Sequence, residues 1–211
     1  NPADAARAAH LRRHRHHGGG AVRRRVRARD TWKPIKEEDG DEFTFIERFK
    51  DNGGIFMYFE EMEHFKEAMQ QFVIENKWSP LLTTSSYIKE IFADTDIVFS
   101  EDYKSSEHKK NVSIIDCECL IAQTGSILVS DATAGSRAAY SMADTLLIVA
   151  HPTQFATRIK DAFWMMKEKY GDDQPAGMTI ISGVSRSADI GNELVTGALG
   201  CKQIALFLVE I

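Results

Sequence analysis

Short apolar segments alternate with amphipathic segments along most of the chain, and this alternation constrains the fold more than any other feature. Strands are predicted at "IFMYF", "SPLLTT", "DIVFS", "ILVSD", "TLLIVA", "MTIIS" and "IALFLV". Most of these runs are apolar at successive residues, which is typical of strands that are buried on both faces. The pattern therefore predicts a three-layer α/β/α fold with a mainly parallel sheet.

Helical spacing of apolar residues identifies the segments between the strands. One helix, "EFTFIERFK", aligns Phe43, Ile46 and Phe49, and "SYIKEIFA" is a short one. Longer helices are predicted to align two further sets: Met62, Phe65, Met69, Phe72 and Val73, and then Phe155, Ile159, Phe163 and Met166 before a stop at Gly171. The segment "SADIGNELVTGALG" is predicted to be a helix before the last strand.

The charge is distributed unevenly and divides the chain into two parts. Residues 1–30 carry nine arginines and two aspartates, a net +7, and the whole chain carries −5, which leaves −12 for residues 31–211. We therefore treat 1–30 as a separate Arg/His-rich segment and 31–211 as one α/β domain. The segment is interpreted as a solvated helical extension or a non-native piece, with a nucleic-acid arm or metal capture by His14, His16 and His17 as alternatives.

Composition argues against several classes of function. An acidic body disfavours a nucleic-acid groove, because such affinity comes mainly from Lys and Arg on phosphates. The longest apolar runs fall far short of the roughly 20 residues that a membrane span needs. Three cysteines make no disulfide framework, and we expect a cytoplasmic protein.

Three loops carry the candidate functional residues, and ligands of α/β folds bind beyond the carboxyl ends of strands. "SGVSRSAD" could hold an anion through backbone amides and Arg186, although the preferred interpretation of these residues alone is Ser185 or Ser187 as a helix cap and Asp189 as a first-turn acid. "DATAGSRAAYS" offers Arg137 for a carboxylate or phosphate, or is a surface turn. In "DCECLIAQTGS", Cys117 and Cys119 are interpreted as core residues rather than metal ligands. His151 is interpreted as a hydrogen-bonded loop residue, and no catalytic set emerges.

Three blocks resemble the signature of the LUD domain, which is found in lactate-utilisation protein C. They are "CLIAQTGSILVSD", "AGSRAAYSMADTLLIVAHPTQFATRIKDAF" and "ISGVSRSADIGNELVTGALGCKQIALFLVE". The chain departs from that pattern at Gln123, Val184, Leu199 and Cys201. The matched motif positions are Thr124, Gly125, Ser126, Arg137, Ser182, Gly183, Ser185, Ala188, Asp189, Ile190, Gly197 and Gly200.

The resemblance implies a fold similar to sugar-phosphate isomerases and CoA transferases. It also implies a subunit of a bacterial system that oxidises L-lactate to pyruvate, in which partner proteins carry iron-sulfur clusters and this chain carries no cofactor. The candidate anion site then comprises Thr124, Gly125, Ser126, Arg137, Ser182, Gly183, Ser185, Arg186 and Asp189. The alternative is a stand-alone enzyme or binding protein for a phosphorylated or CoA-linked carboxylate. Whether the chain is itself catalytic stays open.

Overall fold

The structure is a computed structural model that describes residues 40–103, 111–184 and 200–210, with the backbone of two short strands at 186–187 and 195–196. The Arg/His-rich segment and its boundary at residue 30 lie outside the described residues. So do Ser185 and Asp189, and the side chain of Arg186.

In the described part of the chain, helices and strands alternate as predicted over residues 40–100, whereas several strands after residue 111 follow one another without a described helix between them. The helices are α1 (Gly40–Asp51), α2 (Met62–Asn76), α3 (Ser86–Ile91), α4 (Asp131–Ala134), α5 (Ala138–Ser141) and α6 (Ile159–Tyr170). The strands are β1 (Ile55–Phe59), β2 (Leu81–Leu82), β3 (Phe99–Ser100), β4 (Val112–Asp116), β5 (Cys119–Ile121), β6 (Ser126–Ser130), β7 (Thr145–Ala150), β8 (Phe155–Ala156), β9 (Met178–Ile181), β10 (Arg186–Ser187), β11 (Val195–Thr196) and β12 (Gln203–Val209). Among the described residues, none of the helices combines the length and the apolar composition that a membrane crossing needs.

A six-stranded parallel sheet forms the centre of the fold, in the order β1-β12-β7-β4-β2-β3. Helices cover both of its faces, which confirms the predicted three-layer α/β/α architecture. A second sheet, in the order β8-β5-β6-β9, is mostly antiparallel. This smaller sheet is inserted between β4 and β12 in the chain and thickens one outer layer.

Alternate residues of the central strands belong to two separate core clusters. In β7, Leu146 and Ile148 pack with α1, α4, α5 and the inner face of the smaller sheet. Leu147 and Val149 pack on the opposite face with α2 and α3. Because side chains of a strand point alternately to the two faces, a strand covered on both sides must be apolar throughout. The outer face of the smaller sheet packs against α6 in a third cluster.

The predicted stripe on the second helix is correct. Phe65 and Met69 are buried, and Met62, Phe72 and Val73 pack against them. Gly171 ends α6 with a φ of +58°, as predicted.

Three sequence predictions are wrong in detail. Phe43 is 74% exposed, and α1 instead buries Phe45 and Phe49, whose rings stack with centroids 5.4 Å apart. The helix predicted to include Phe155 begins only at Ile159, because residues 155–156 pair with β5 as strand β8. Phe163 on that helix is 45% exposed, and the core positions are Ala162 and Met166.

The helix predicted over "SADIGNELVTGALG" is also wrong where the structure describes it. Its position 187 belongs to β10, which pairs antiparallel with β11 through Arg186↔Thr196 and Ser187↔Val195. At these positions the backbone of β10 pairs with that of β11, so the residues are in strands and not in the predicted helix.

Candidate functional site

The turn between β5 and β6 carries the first set of predicted residues and packs closely on helix α1. Gly125 has a φ of +60°, and a Cβ there would lie 2.5 Å from the backbone of Arg48 and of Phe49. Arg48 donates a hydrogen bond to the carbonyl of Gln123 through Nη1. A glycine is required at this turn because both its backbone conformation and its distance from α1 exclude a side chain.

Asn52, just after α1, joins this turn to the loop that follows β9. Its side-chain Nδ2 donates to the carbonyl of Thr124 at 2.9 Å and to that of Gly125 at 3.4 Å. Its own carbonyl accepts from the amide of Val184 at 3.4 Å. Gly183 has a φ of +88°, and a Cβ there would lie 2.2 Å from the Asn52 oxygen. One residue thus holds two of the predicted loops.

A direct contact connects the same two loops. The hydroxyls of Ser126 and Ser182 lie 2.7 Å apart, at the place where β6 and β9 pair antiparallel through Ile127↔Ile181. The structure therefore brings Thr124, Gly125 and Ser126 together with Ser182 and Gly183, although 56 residues of chain separate the two serines.

Arg137 reaches the same region from helix α5. Its exposed side chain lies over Gly177, donating from Nη2 to the carbonyl of Ala176 at 3.4 Å. It borders a cavity of about 530 Å³ whose other described lining residues are Tyr140, Ser141, Leu146, Thr179, Ile180, Ile181, Ser182, Gly183, Gly200 and Cys201. Arg137, Ser182 and Gly183 thus share one cavity, whereas Thr124, Gly125 and Ser126 are not among its described lining residues, and of these three Ser126 contacts Ser182 directly.

The position of this cavity differs from the expectation. We expected the loops beyond the carboxyl ends of the parallel strands, but β6 and β9 belong to the antiparallel sheet. Leu146 is the second residue of β7, and Cys201 directly precedes β12, so the cavity lies at the amino ends of these two central strands. A strand followed by a glycine-rich loop does not reveal, from sequence alone, to which sheet the strand belongs.

The lining can recognise a carboxylate or a similar anion. Arg137 contributes a guanidinium whose planar donors fit the two oxygens of a carboxylate. The hydroxyls of Tyr140, Thr179 and Ser182 add donors, and Thr179 Oγ1 lies 3.4 Å from the Tyr140 hydroxyl. Sequence reasoning missed Tyr140 and Thr179. Tyr140 follows Arg137 by three residues, a spacing that places both on one side of a helical turn.

Cys117, Cys119 and His151 are buried. Cys117 and Cys119 are buried in two different core clusters, so their side chains point apart. Burial raises the pKa of the Cys117 thiol, and it raises the pKa of Cys119 to about 12. His151 is buried, with Nδ1 at 2.8 Å from the carbonyl of Val209 and Nε2 at 2.5 Å from the Tyr87 hydroxyl.

Residues 106–209 match the LUD domain family. This chain carries a LUD domain. The matched range includes the turn at Gly125, Arg137 and the loop at Gly183, whereas Arg48 and Asn52, which hold those loops, precede it.

A solved structure has the same fold as this LUD domain protein. It is the crystal structure of a DUF162 family protein from Deinococcus radiodurans, with a TM-score of 0.60 over 83% of this chain and 99% of that chain. The sequence identity is 15%, so the likeness concerns the fold.

Proposed function

We propose that this chain acts in bacterial lactate utilisation, as a subunit of a system that oxidises L-lactate to pyruvate together with iron-sulfur partner proteins. The observation that carries the proposal is the LUD domain at residues 106–209, two of whose signature loops, at Arg137 and at Ser182 and Gly183, border one cavity. In this role the chain resembles lactate-utilisation protein C. It binds a small carboxylate, and its partners carry the electrons.

The chemistry of the chain supports this division of work. A ferredoxin-type iron-sulfur cluster takes four thiolates, and the sequence has three cysteines. All three are buried, and burial raises the pKa of each thiol. Such cysteines serve as core residues, so the redox centres are assigned to the partners.

Growth on lactate tests the role of the chain. The gene is deleted in its bacterial source, and the strain is complemented with the wild type, Arg137→Ala or Arg158→Ala. Arg158 is a matched control, because it is also an exposed arginine at the start of a helix and does not border the cavity. We expect loss of growth on L-lactate, rescue by the wild type and Arg158→Ala, and poor rescue by Arg137→Ala. Normal growth of the deletion strain on L-lactate would contradict the proposal.

Purification of the full chain from the same source tests the partners. A brown eluate that contains stoichiometric iron-bearing proteins is expected from its visible absorption spectrum. A colourless and solitary protein would contradict the subunit role and favour the second candidate function.

That second candidate is a stand-alone enzyme or binding protein for a phosphorylated or CoA-linked carboxylate. The specific observation in its favour is the cavity, since about 530 Å³ with Arg137 at its border is within the range of sites for drug-sized ligands. A ligand specific for the folded state must stabilise it. Sugar phosphates, CoA esters and L-lactate are therefore compared by thermal unfolding, and no shift with the first two classes would remove this candidate.

A further inference from the structure

The carboxyl edge of the central sheet contains a topological switch between β2 and β4. The chain leaving β2 passes through α3 to β3 on one side, and the chain leaving β4 passes through the smaller sheet to β7 on the other side. α3 packs on one face of the sheet, and α4 and α5 pack on the opposite face. In open α/β sheets a crevice opens at such a point, and ligands bind there.

Polar side chains from three segments meet at this switch. Asp116 is the last residue of β4 and pairs with Val149 of β7. His151 lies two residues beyond Val149, so it emerges on the same face as Asp116. α3 packs on that face and brings Ser85 and Tyr87: Ser85 Oγ donates to Asp116 Oδ1 at 3.0 Å, and the Tyr87 hydroxyl lies 2.5 Å from His151 Nε2.

The hydrogen bonds define which atoms can still accept. Val209 offers a carbonyl, which only accepts, so His151 Nδ1 carries the hydrogen of this contact. In the neutral ring Nε2 then accepts from Tyr87, whose oxygen keeps its acceptor capacity. No side chain among the described residues donates to Asp116 Oδ2. The cluster therefore presents acceptor atoms from a half-buried carboxyl and a phenol.

The surrounding charge disfavours an anion at this cluster. Acidic residues follow four of the six strands at the carboxyl edge: Glu60 and Glu61, Glu101 and Asp102, Glu118, and Glu210. Lys169 is paired with Glu118 and Lys89 with Glu101. The Arg137 cavity lies at the other edge, because Leu146 and His151 stand at opposite ends of β7, about 16 Å apart for an extended strand.

We propose that the cluster of Ser85, Tyr87, Asp116 and His151 at this strand-order switch forms a second binding site, which takes the vicinal hydroxyls of an uncharged ligand such as the ribose of a nucleoside. Hydroxyl groups are donors that match the free acceptors of Asp116 and Tyr87, and a ligand without charge avoids repulsion by the acidic edge. A strand-end carboxylate that binds ribose hydroxyls is a recurrent arrangement in α/β folds. This inference does not depend on the lactate role.

The proposal includes a pH dependence. The pKa of Asp116 is raised from 3.8 to about 6, mainly because the carboxyl is buried; Glu118 also raises this pKa, while the hydrogen bond from Ser85 and the charge of Lys169 lower it. The other described titratable groups that face this carboxyl or its neighbours are Cys117 next to it in the chain, Tyr87 on α3 with Glu90 beside it, and His151 after β7. A protonated Asp116 loses acceptor capacity, so binding should weaken as the pH falls below about 6.

Calorimetric titration of the full chain tests the site with two probes, adenosine and methyl β-D-ribofuranoside, at pH 7.5. 2′-Deoxyadenosine, which lacks one of the two hydroxyls, and the variant Asp116→Asn should each weaken binding by about 10-fold or more, as the loss of a hydrogen bond to a charged group does. Asp172→Asn, at an exposed aspartate, should leave the affinity unchanged.

The outcomes of this titration either support or overturn the proposed site for vicinal hydroxyls. Binding of both probes identifies a sugar site, and binding of adenosine alone identifies a nucleoside site, and either result supports the proposal if Asp116→Asn and 2′-deoxyadenosine bind weakly. Absence of binding of both probes at 10 mM overturns it. So does an affinity that is insensitive to the 2′-hydroxyl or to Asp116→Asn in a variant whose thermal unfolding remains cooperative.

Discussion

Replacing Gly183 by alanine tests the close contact between the loop after β9 and the end of α1. The backbone at Gly183 has a φ of +88°, which L side chains rarely adopt, and its Cβ would lie 2.2 Å from the carbonyl oxygen of Asn52. The nearest atom belongs to the backbone, so shortening the Asn52 side chain cannot relieve the clash. Either the loop or α1 must move.

The expected cost has two parts. Positive φ costs a residue with a Cβ about 1–2 kcal/mol. Because a carbon normally stays about 3.3 Å or more from a carbonyl oxygen, the neighbours must shift by about 1 Å, and such overpacking costs about 1–3 kcal/mol. We therefore expect Gly183→Ala to lower the free energy of unfolding by about 2–5 kcal/mol.

Gly171→Ala provides the matched control. Gly171 also has a positive φ, +58°, but no atom lies within 4 Å of the point that a Cβ would occupy there, so only the first part of the cost applies. Urea unfolding followed by fluorescence measures both variants. We expect Gly183→Ala to be less stable than the control by about 2 kcal/mol, or about 4–8 °C in Tm. Equal losses in the two variants would refute the close approach of the loop to Asn52.

Three further predictions use the same unfolding assay or a thiol assay. Phe45→Ala should lower the free energy of unfolding by about 4 kcal/mol because the Phe45 ring is fully buried. Phe43→Ala, at an exposed ring, should lower it by about 0.5 kcal/mol or less. Similar losses in the two variants would contradict the observed buried face of α1. Asp116 has a folded pKa raised from 3.8 to about 6, so wild-type stability should fall as the pH rises from about 4 to 6, by at most about 3 kcal/mol. Asp116→Asn should remove that loss, and an unchanged pH profile would contradict the burial of this carboxyl. A thiol reagent should modify no cysteine of the native protein and all three after unfolding, and a rapidly reacting native thiol would contradict their burial.

The fold class can be predicted from the sequence because a strand that is buried on both faces is apolar at successive residues. Every residue of "TLLIVA" is buried, and successive side chains enter different core clusters. The details that fail are those decided by distant contacts. Residues 155–156 form a strand because β5 is available to pair with them, and nothing in the local spacing indicates that partner.

The candidate sites were predictable to different extents. The LUD signature indicated the loops at Gly125, Arg137 and Gly183, and the structure brings these loops together. The signature did not indicate Asn52, which lies 72 residues before Thr124 in the sequence and contacts both the Gly125 turn and the Gly183 loop. At the carboxyl edge the sequence analysis named His151 but not Asp116 or Tyr87. That cluster forms because of the order of the strands in the sheet, and this order cannot be predicted from the spacing of residues in the sequence.

The folding unit must be larger than the range that matches the LUD family. That range begins at residue 106, whereas β1, β2 and β3 of the central sheet precede it, and β1 and β2 pair directly with β12 and β4. Removing residues 1–105 would expose the edges of β12 and β4 and uncover Ile127 and Leu206, which pack in one cluster with Phe45 and Phe49 of α1. We expect the fragment 106–211 to lack a cooperative unfolding transition by circular dichroism and the fragment 40–211 to keep one, since burying too little apolar surface leaves the conformational entropy of the chain uncompensated. A cooperative transition in the shorter fragment would show that the three upstream strands and α1 are an addition to the domain rather than part of it.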